Sequence, residues 1–231
     1  MERNILEQLD EKVKGDRYFH GNIERCAELD ITFRRLYDLY YIVAGANFNL
    51  LKAADENLSL DGYEYSDENV LRIFLRTEHL KSCLLSYNSV EDYVMQIIVF
   101  AFNLKGNRIS SKKDYDSKSQ NNFYWKLQYR IKGIDDKNIY NLINEYHKNM
   151  KKIRELSNKL KHNNNIQFKE LPYPSYVGFT NKKYKSDWLK PKAESLDELI
   201  DICYDANAII VKYIKGLYDI LNKKYRLDIL N

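Results

Sequence analysis

Proline and glycine are scarce, with three prolines and eight glycines in 231 residues. So few turn-formers argue against an all-β fold and against a Gly-rich loop cradling a nucleotide phosphate. Cysteine numbers three: Cys26, Cys83 and Cys203, far apart and with no CxxC pair. An odd, scattered set argues against a disulfide framework or a zinc site, and each reads as a small hydrophobe in an apolar helical context. The four histidines are too few and too dispersed for a His-rich metal site. Neither His79 nor His147 has a glutamate three residues before it, as a carboxylate-bridged two-metal bundle requires. No Walker loop, GxGxxG, GxSxG or HExxH occurs. No cofactor and no metal are expected. The longest apolar run, residues 93–104, is interrupted by Gln96 and Asn103 and is too short to span a bilayer. The first fifteen residues mix acids with bases and hold no apolar run, so they do not read as a signal peptide. The expectation is a soluble, reduced, cytoplasmic protein without a membrane partner.

What the chain has in abundance is tyrosine, 20 in all, beside 37 Lys and Arg and 33 Asp and Glu. Tyrosine suits half-buried helix surfaces, where the ring packs and the hydroxyl reaches water. The net charge of +4 conceals a division. Residues 1–104 hold 11 Lys and Arg against 18 Asp and Glu, whereas residues 105–192 hold 21 against 8. A segregated basic block is the footprint of a chain that meets a polyanion, and RNA is the partner it suggests. Lysines that merely decorate loops would produce the same count.

The hydrophobic pattern is helical from end to end. Residues 1–20 form an N-terminal extension with a short amphipathic stretch. A long helix is predicted over residues 21–57, with Ile31, Leu36, Tyr40, Val43, Ala44, Asn47 or Phe48, and Leu51 among the positions of its apolar repeat. A second follows over about 67–104 and becomes apolar nearly all round at 93–102, which belongs at the centre of a bundle or in a dimer interface. The polar, lysine-rich residues 105–122 read as an exposed loop. A short helix is expected over 123–131, then one continuous helix from about 135 to 162. Its buried side is Ile139, Leu142, Ile143, Tyr146, Met150, Ile153 and Leu160. An irregular insertion, 163–195, carries a candidate hairpin at 176–183. Ser195 with Glu198 three residues on forms a capping box for the last helix, 196–225. The fold class is all-α, a bundle of four to five long helices, organised as one domain over residues 21–231.

One stretch carries candidate chemistry. Arg154, Asn158 and His162 are spaced four and four, so they stack on one side of a helix. Cleaving RNA without a metal needs an acid or base near neutrality and a cation for the charge developing on phosphorus. Histidine supplies the first and arginine the second, while asparagine can orient either. Arg154, Asn158 and His162 are thus the candidate catalytic set, and Lys151, Lys159 and Lys161 the candidate RNA-binding residues. A solvated helix face carries the same residue types. The acid pairs Glu91-Asp92 and Asp135-Asp136 read as structural, on a polar face or at a helix start.

The sequence Ser86-Tyr87-Asn88-Ser89-Val90-Glu91-Asp92-Tyr93 entering the central apolar helix, with Ser157-Asn158-Lys159-Leu160-Lys161-His162 ending a later one, resembles the HEPN superfamily (higher eukaryotes and prokaryotes nucleotide-binding). Its motif is an arginine, often followed by Asn, Asp or His, with a histidine a few residues on. Asn158 and His162 match. Ser157 stands at the arginine position, and Arg154 lies one turn earlier. The resemblance implies a helical bundle and a metal-independent endoribonuclease of toxin or phage-defence type. It further implies a homodimer with two motifs lining one cleft, and an antitoxin or other protein partner. Non-catalytic HEPN-like bundles serve as dimerisation modules or as RNA- or protein-binding modules, and Ser157 favours that alternative.

Overall fold

The computed structural model describes residues 27–63, 66–106, 108–134, 136–162, 166–171 and 193–225. They form seven helices: α1 Ala27–Ala54, α2 Glu68–Ala101, α3 Lys112–Ser119, α4 Tyr124–Lys132, α5 Lys137–Asn149, α6 Lys151–His162 and α7 Leu196–Tyr225. The all-α bundle expected from the sequence is what the chain adopts. The N-terminal extension and the candidate hairpin lie outside the described residues.

α1 and α2 are built on a seven-residue repeat. The buried positions Leu29, Thr32, Leu36, Leu39, Val43, Ala46, Leu50 and Ala53 alternate steps of three and four along α1. Thr77, Leu80, Leu84, Tyr87, Glu91, Val94, Ile98 and Ala101 do the same along α2. Such a repeat winds two helices together with interlocking side chains. Polar ties fix the antiparallel register. The Tyr87 hydroxyl donates to Asn47 Oδ1 at 2.7 Å, His79 Nδ1 meets Asn49 Oδ1 at 2.8 Å, and Arg76 Nε donates to the Ala53 carbonyl at 2.7 Å. Of the apolar positions expected on α1, Leu36, Val43 and Asn47 are buried, whereas Tyr40, Ala44 and Leu51 give way to Leu39, Ala46 and Leu50, and Phe48 is 54% exposed. A 3.6-residue template drifts off a 3.5-residue seam within a few turns.

The lysine-rich stretch after α2 is not a plain loop. Ser111 and Asp114 bond reciprocally at the start of α3: the Ser111 hydroxyl accepts from the Asp114 amide at 3.3 Å and donates to its carboxylate at 2.8 Å. The Ser110 and Ser111 hydroxyls hold the Asp114 carboxyl down at about 2. This box starts a helix that composition alone reads as exposed coil. α3 is then anchored by Lys118, 4% exposed, whose ammonium lies 3.2 Å from Glu28 at the start of α1.

The predicted helix over 135–162 is two helices. Met150 (φ −86°, ψ 11°) ends α5, and α6 begins at the next residue. Both keep their apolar stripes inward, Ile139, Ile143 and Tyr146 on α5 and Ile153 and Leu156 on α6. α7 packs against α5, α2 and α1. A Cβ on Gly216 of α7 would stand 2.7 Å from Leu142 Cδ1, so the bare backbone sets that close approach. The N-terminus of α7 is held otherwise than the sequence predicts. Glu170, not Glu198, accepts from the Ser195 hydroxyl (3.2 Å) and the Leu196 amide (3.0 Å). Phe168 and Glu194 form a parallel bridge, with Glu194 N–H donating to Gln167 O at 2.8 Å and Lys169 N–H to Glu194 O at 3.0 Å. Cys83 and Cys203 are free and buried, as their apolar helical contexts predict.

Burial alone would raise the Glu28 carboxyl, but the Ile109 amide, its own amide and Lys118 outweigh it and hold the group below its ordinary 4.5. A lowered carboxyl stabilises the fold above the unfolded value, and that contribution fades as pH falls through the folded one. Lys118→Met is therefore expected to reduce unfolding free energy by about 3 kcal/mol at pH 7. The difference from wild type should shrink below about pH 4, as read by urea denaturation at both pH values.

Candidate functional site

Glu91 stands at a position of the α2 repeat where its neighbours are Tyr87, Val94 and Ile98, and it is 9% exposed. A carboxylate there needs partners, because an unpaired buried charge costs several kcal/mol. Two other helices provide them. His147, near the end of α5, brings Nδ1 to 2.7 Å from Glu91 Oε1, and Arg154 of α6 brings Nη1 to 3.8 Å from Glu91 Oε2. The Arg154 guanidinium also donates through Nη2 to the His147 carbonyl oxygen. The last carbonyls of a helix lack intrahelical partners, so Arg154 closes the end of α5 while binding the acid. The break at Met150 lies between His147 and Arg154, and the guanidinium spans it.

An ionised carboxylate only accepts hydrogen bonds, so the Glu91 contact assigns the proton to His147 Nδ1. Nε2 is then the free ring nitrogen, and it has no hydrogen-bond partner among the described residues. The imidazole is clamped from a third side by Tyr124 of α4, its ring stacked at 3.8 Å and 12°. The Tyr124 hydroxyl donates to Asn144 Oδ1 at 3.1 Å. The side chain remains 30% exposed, and Arg154 24%. Tyr146 and Tyr213 stack at 3.8 Å in the core, and both hydroxyls are buried without a hydrogen-bond partner. Burial, then the charge of Glu91 for Tyr146 and the neighbouring Tyr146 for Tyr213, pushes both phenols well above 10. A cleft of about 260 Å³ between α5 and α7 opens onto this pair, flanked by the Glu145–Lys212 ion pair at 2.7 Å.

Of the sequence candidates, Arg154 is in this cluster. Asn158 and His162 continue along α6 as exposed residues and make no hydrogen bond among the described residues. His162 lies eight positions beyond Arg154, about 12 Å of helix rise. Lys151 is exposed and 3.8 Å from Glu155, Lys159 is 3.1 Å from Glu194, and Lys161 is exposed near Asp92. Ser157, the residue at the arginine position of the HEPN pattern, is fully buried with an unpaired hydroxyl. An arginine there would have to enter the core. Glu91 and His147 were not among the candidates, yet Glu91 leaves a sequence signal: an acid interrupts an otherwise nearly apolar seven-residue repeat. Among the described residues no group of three His, Cys, Asp or Glu side chains is placed to hold a metal ion, and no helix is long and apolar enough to cross a membrane.

Comparison with protein-family models, with curated proteins and with solved structures finds no match to this chain.

Asp92, beside Glu91, is raised above its ordinary 3.8 by burial and by the Glu91 charge, partly offset by Lys161. A raised carboxyl penalises the fold whenever it is ionised. The penalty is complete at pH 7 and absent below the unfolded value. Asp92→Asn is accordingly expected to raise the melting temperature at pH 7 and to match wild type near pH 3 in parallel thermal melts.

Proposed function

We propose that this chain is a HEPN-like, metal-independent endoribonuclease of toxin or phage-defence type, acting in the cytoplasm as a homodimer. The observation that carries the proposal is the Glu91–His147–Arg154 cluster. It unites an imidazole with one free nitrogen, a carboxylate that fixes its tautomer, and a guanidinium. His147 Nε2 would take the proton from a ribose 2′-hydroxyl or return one to the leaving oxygen. Glu91 orients the ring and stabilises the imidazolium, as a carboxylate behind a histidine does in other hydrolases. Arg154 supplies positive charge beside the reacting phosphate. Asn158 and His162, exposed on the same side of α6, together with Lys151, Lys159 and Lys161, are the residues an RNA strand or a second copy would meet.

A second reading has its own observation. The Arg154 guanidinium is engaged by a carbonyl and a carboxylate, and the cluster ties α2, α5 and α6 together. In that reading the network is structural, and the chain is a non-catalytic HEPN-like module for dimerisation or for binding RNA or protein.

The two readings separate in one assay on total RNA with EDTA present. Catalysis predicts wild-type cleavage that falls about 10²- to 10⁴-fold in His147→Ala, with the helical circular dichroism retained. Arg154→Ala should lose about 10²- to 10³-fold. Full activity in His147→Ala with loss in His162→Ala would move the acid–base role to the end of α6. No cleavage by wild type, with destabilisation of several kcal/mol in His147→Ala and Arg154→Ala, would establish the structural reading.

A further inference from the structure

The helix that stacks Tyr124 on His147 turns a different face to solvent. Leu127 and Ile131 of α4 are buried, and the opposite side presents Trp125 at 63% and Tyr129 at 80% exposure. Phe123, just before the helix and 44% exposed, stacks parallel to Trp125 with ring centroids 6.3 Å apart and 3° between planes. Burying this much aromatic surface is favourable, so leaving it in water needs a reason.

The charge around the rings narrows the reason. Trp125, Tyr129 and Lys132 make one row at helical spacing, and Lys126 and Arg130 make the next. The Lys126 ammonium lies 4.9 Å from the Trp125 ring centroid and 5.7 Å from that of Phe123. α4 holds Lys126, Arg130 and Lys132 and no acid. The polar contacts of these cations are with neutral acceptors. Lys126 donates to Asn121 Oδ1 at 2.8 Å and Arg130 to the Leu104 carbonyl at 2.9 Å. Lys105, alongside, donates to the carbonyls of Lys118 (3.2 Å) and Gln120. None of the four has an ion-pair partner among the described residues. Lys105 is pushed below its ordinary value by burial and then by the charges of Arg130 and Lys126, as expected where cations crowd.

We propose that the exposed face of α4, with Phe123, Trp125 and Tyr129 as stacking surfaces and Lys105, Lys126, Arg130 and Lys132 as phosphate contacts, is a binding platform for single-stranded nucleic acid. Bases of any identity stack on aromatic rings, while the backbone follows an adjacent line of cations. Trp125 and Tyr129 are one helical turn apart, about 6 Å along the axis, which is close to two stacked-base steps of about 3.4 Å. A duplex hides its base faces and cannot use the rings. A second copy of this chain would bring the same four cations against themselves, which disfavours self-association through this face. The platform rings flank Tyr124, which stacks on His147. The binding itself does not depend on cleavage there.

The test is fluorescence anisotropy with an oligonucleotide of about 12 nucleotides, as single-stranded DNA and as 2′-O-methyl RNA. Neither carries the 2′-hydroxyl nucleophile, so binding is read whether or not the chain cleaves RNA. The expected result is binding that weakens at least about 30-fold in the double variant Trp125→Ala/Tyr129→Ala and is unchanged in Phe48→Ala, an exposed aromatic on α1. Lys126→Gln and Arg130→Gln should each lower the slope of log affinity against log salt by about 0.7. The corresponding duplex should bind more weakly than either single strand. Because the substituted side chains are exposed, circular dichroism should be unchanged in every variant. Undiminished binding in the double aromatic variant, or a duplex bound as tightly as the single strand, would overturn the proposal. So would absence of oligonucleotide binding together with concentration-dependent self-association that the double aromatic variant abolishes.

Discussion

The pairing of the Glu91 carboxylate is the constraint on which the middle of the bundle depends. A lone carboxylate in that seam would be strongly unfavourable, and removing one partner of a buried pair costs about 3–5 kcal/mol. Its partners come from two further helices, His147 on α5 and Arg154 on α6. Those two helices can reach one acid because the chain is interrupted at Met150. The guanidinium that answers the carboxylate also satisfies a carbonyl where α5 stops. One side chain thus meets an electrostatic demand and a backbone demand at once. Tyr124 closes the cluster from α4, and the same helix carries its neighbouring Trp125 into solvent.

Helix type and the order of the long helices were legible because long amphipathic stretches with few glycines and prolines admit little else, whereas the number of helices was not. α7 appears over the residues its pattern predicts. The departures have physical causes. The buried side of α1 was partly misread because its apolar repeat is 3.5 and not 3.6 residues, and the error accumulates toward Phe48. α3 was missed because its helicity comes from the Ser111–Asp114 box and from Lys118 reaching a glutamate 90 positions away, and composition records neither. The helix break at Met150 has no glycine or proline to announce it.

Legibility of the site was partial for a related reason. Arg154 could be singled out from spacing along its own helix. Its contacts with Glu91 and His147 depend on how three helices pack, which no periodicity encodes. Asn158 and His162 share its stripe in sequence but stand in solvent. Only Glu91 left a one-dimensional mark, as an acid in a repeat that otherwise supplies Tyr87, Val94 and Ile98. His147 left none, since a histidine at the border of an apolar face has many ordinary explanations. The basic excess of residues 105–192 was visible as a count. Its concentration beside exposed rings on α4 depends on Lys105, 21 residues before Lys126 in sequence, lying near Arg130 and Lys126.

The parallel bridge between Phe168 and Glu194 has a consequence for how this chain can change. Phe168 is buried, and Glu194 is joined by backbone hydrogen bonds to Gln167 and Lys169 immediately before α7 begins. Whatever length of chain runs between them, the two ends are returned to the same place. The closure cost of a connecting segment rises only with the logarithm of its length, about 0.6 kcal/mol per doubling. Glu170 must stay to hold the start of α7, but the length of the connection beyond Leu171 is only weakly constrained. That makes the site a natural socket, where sequences can be exchanged, lengthened or grafted by evolution or by design without disturbing the helices on either side.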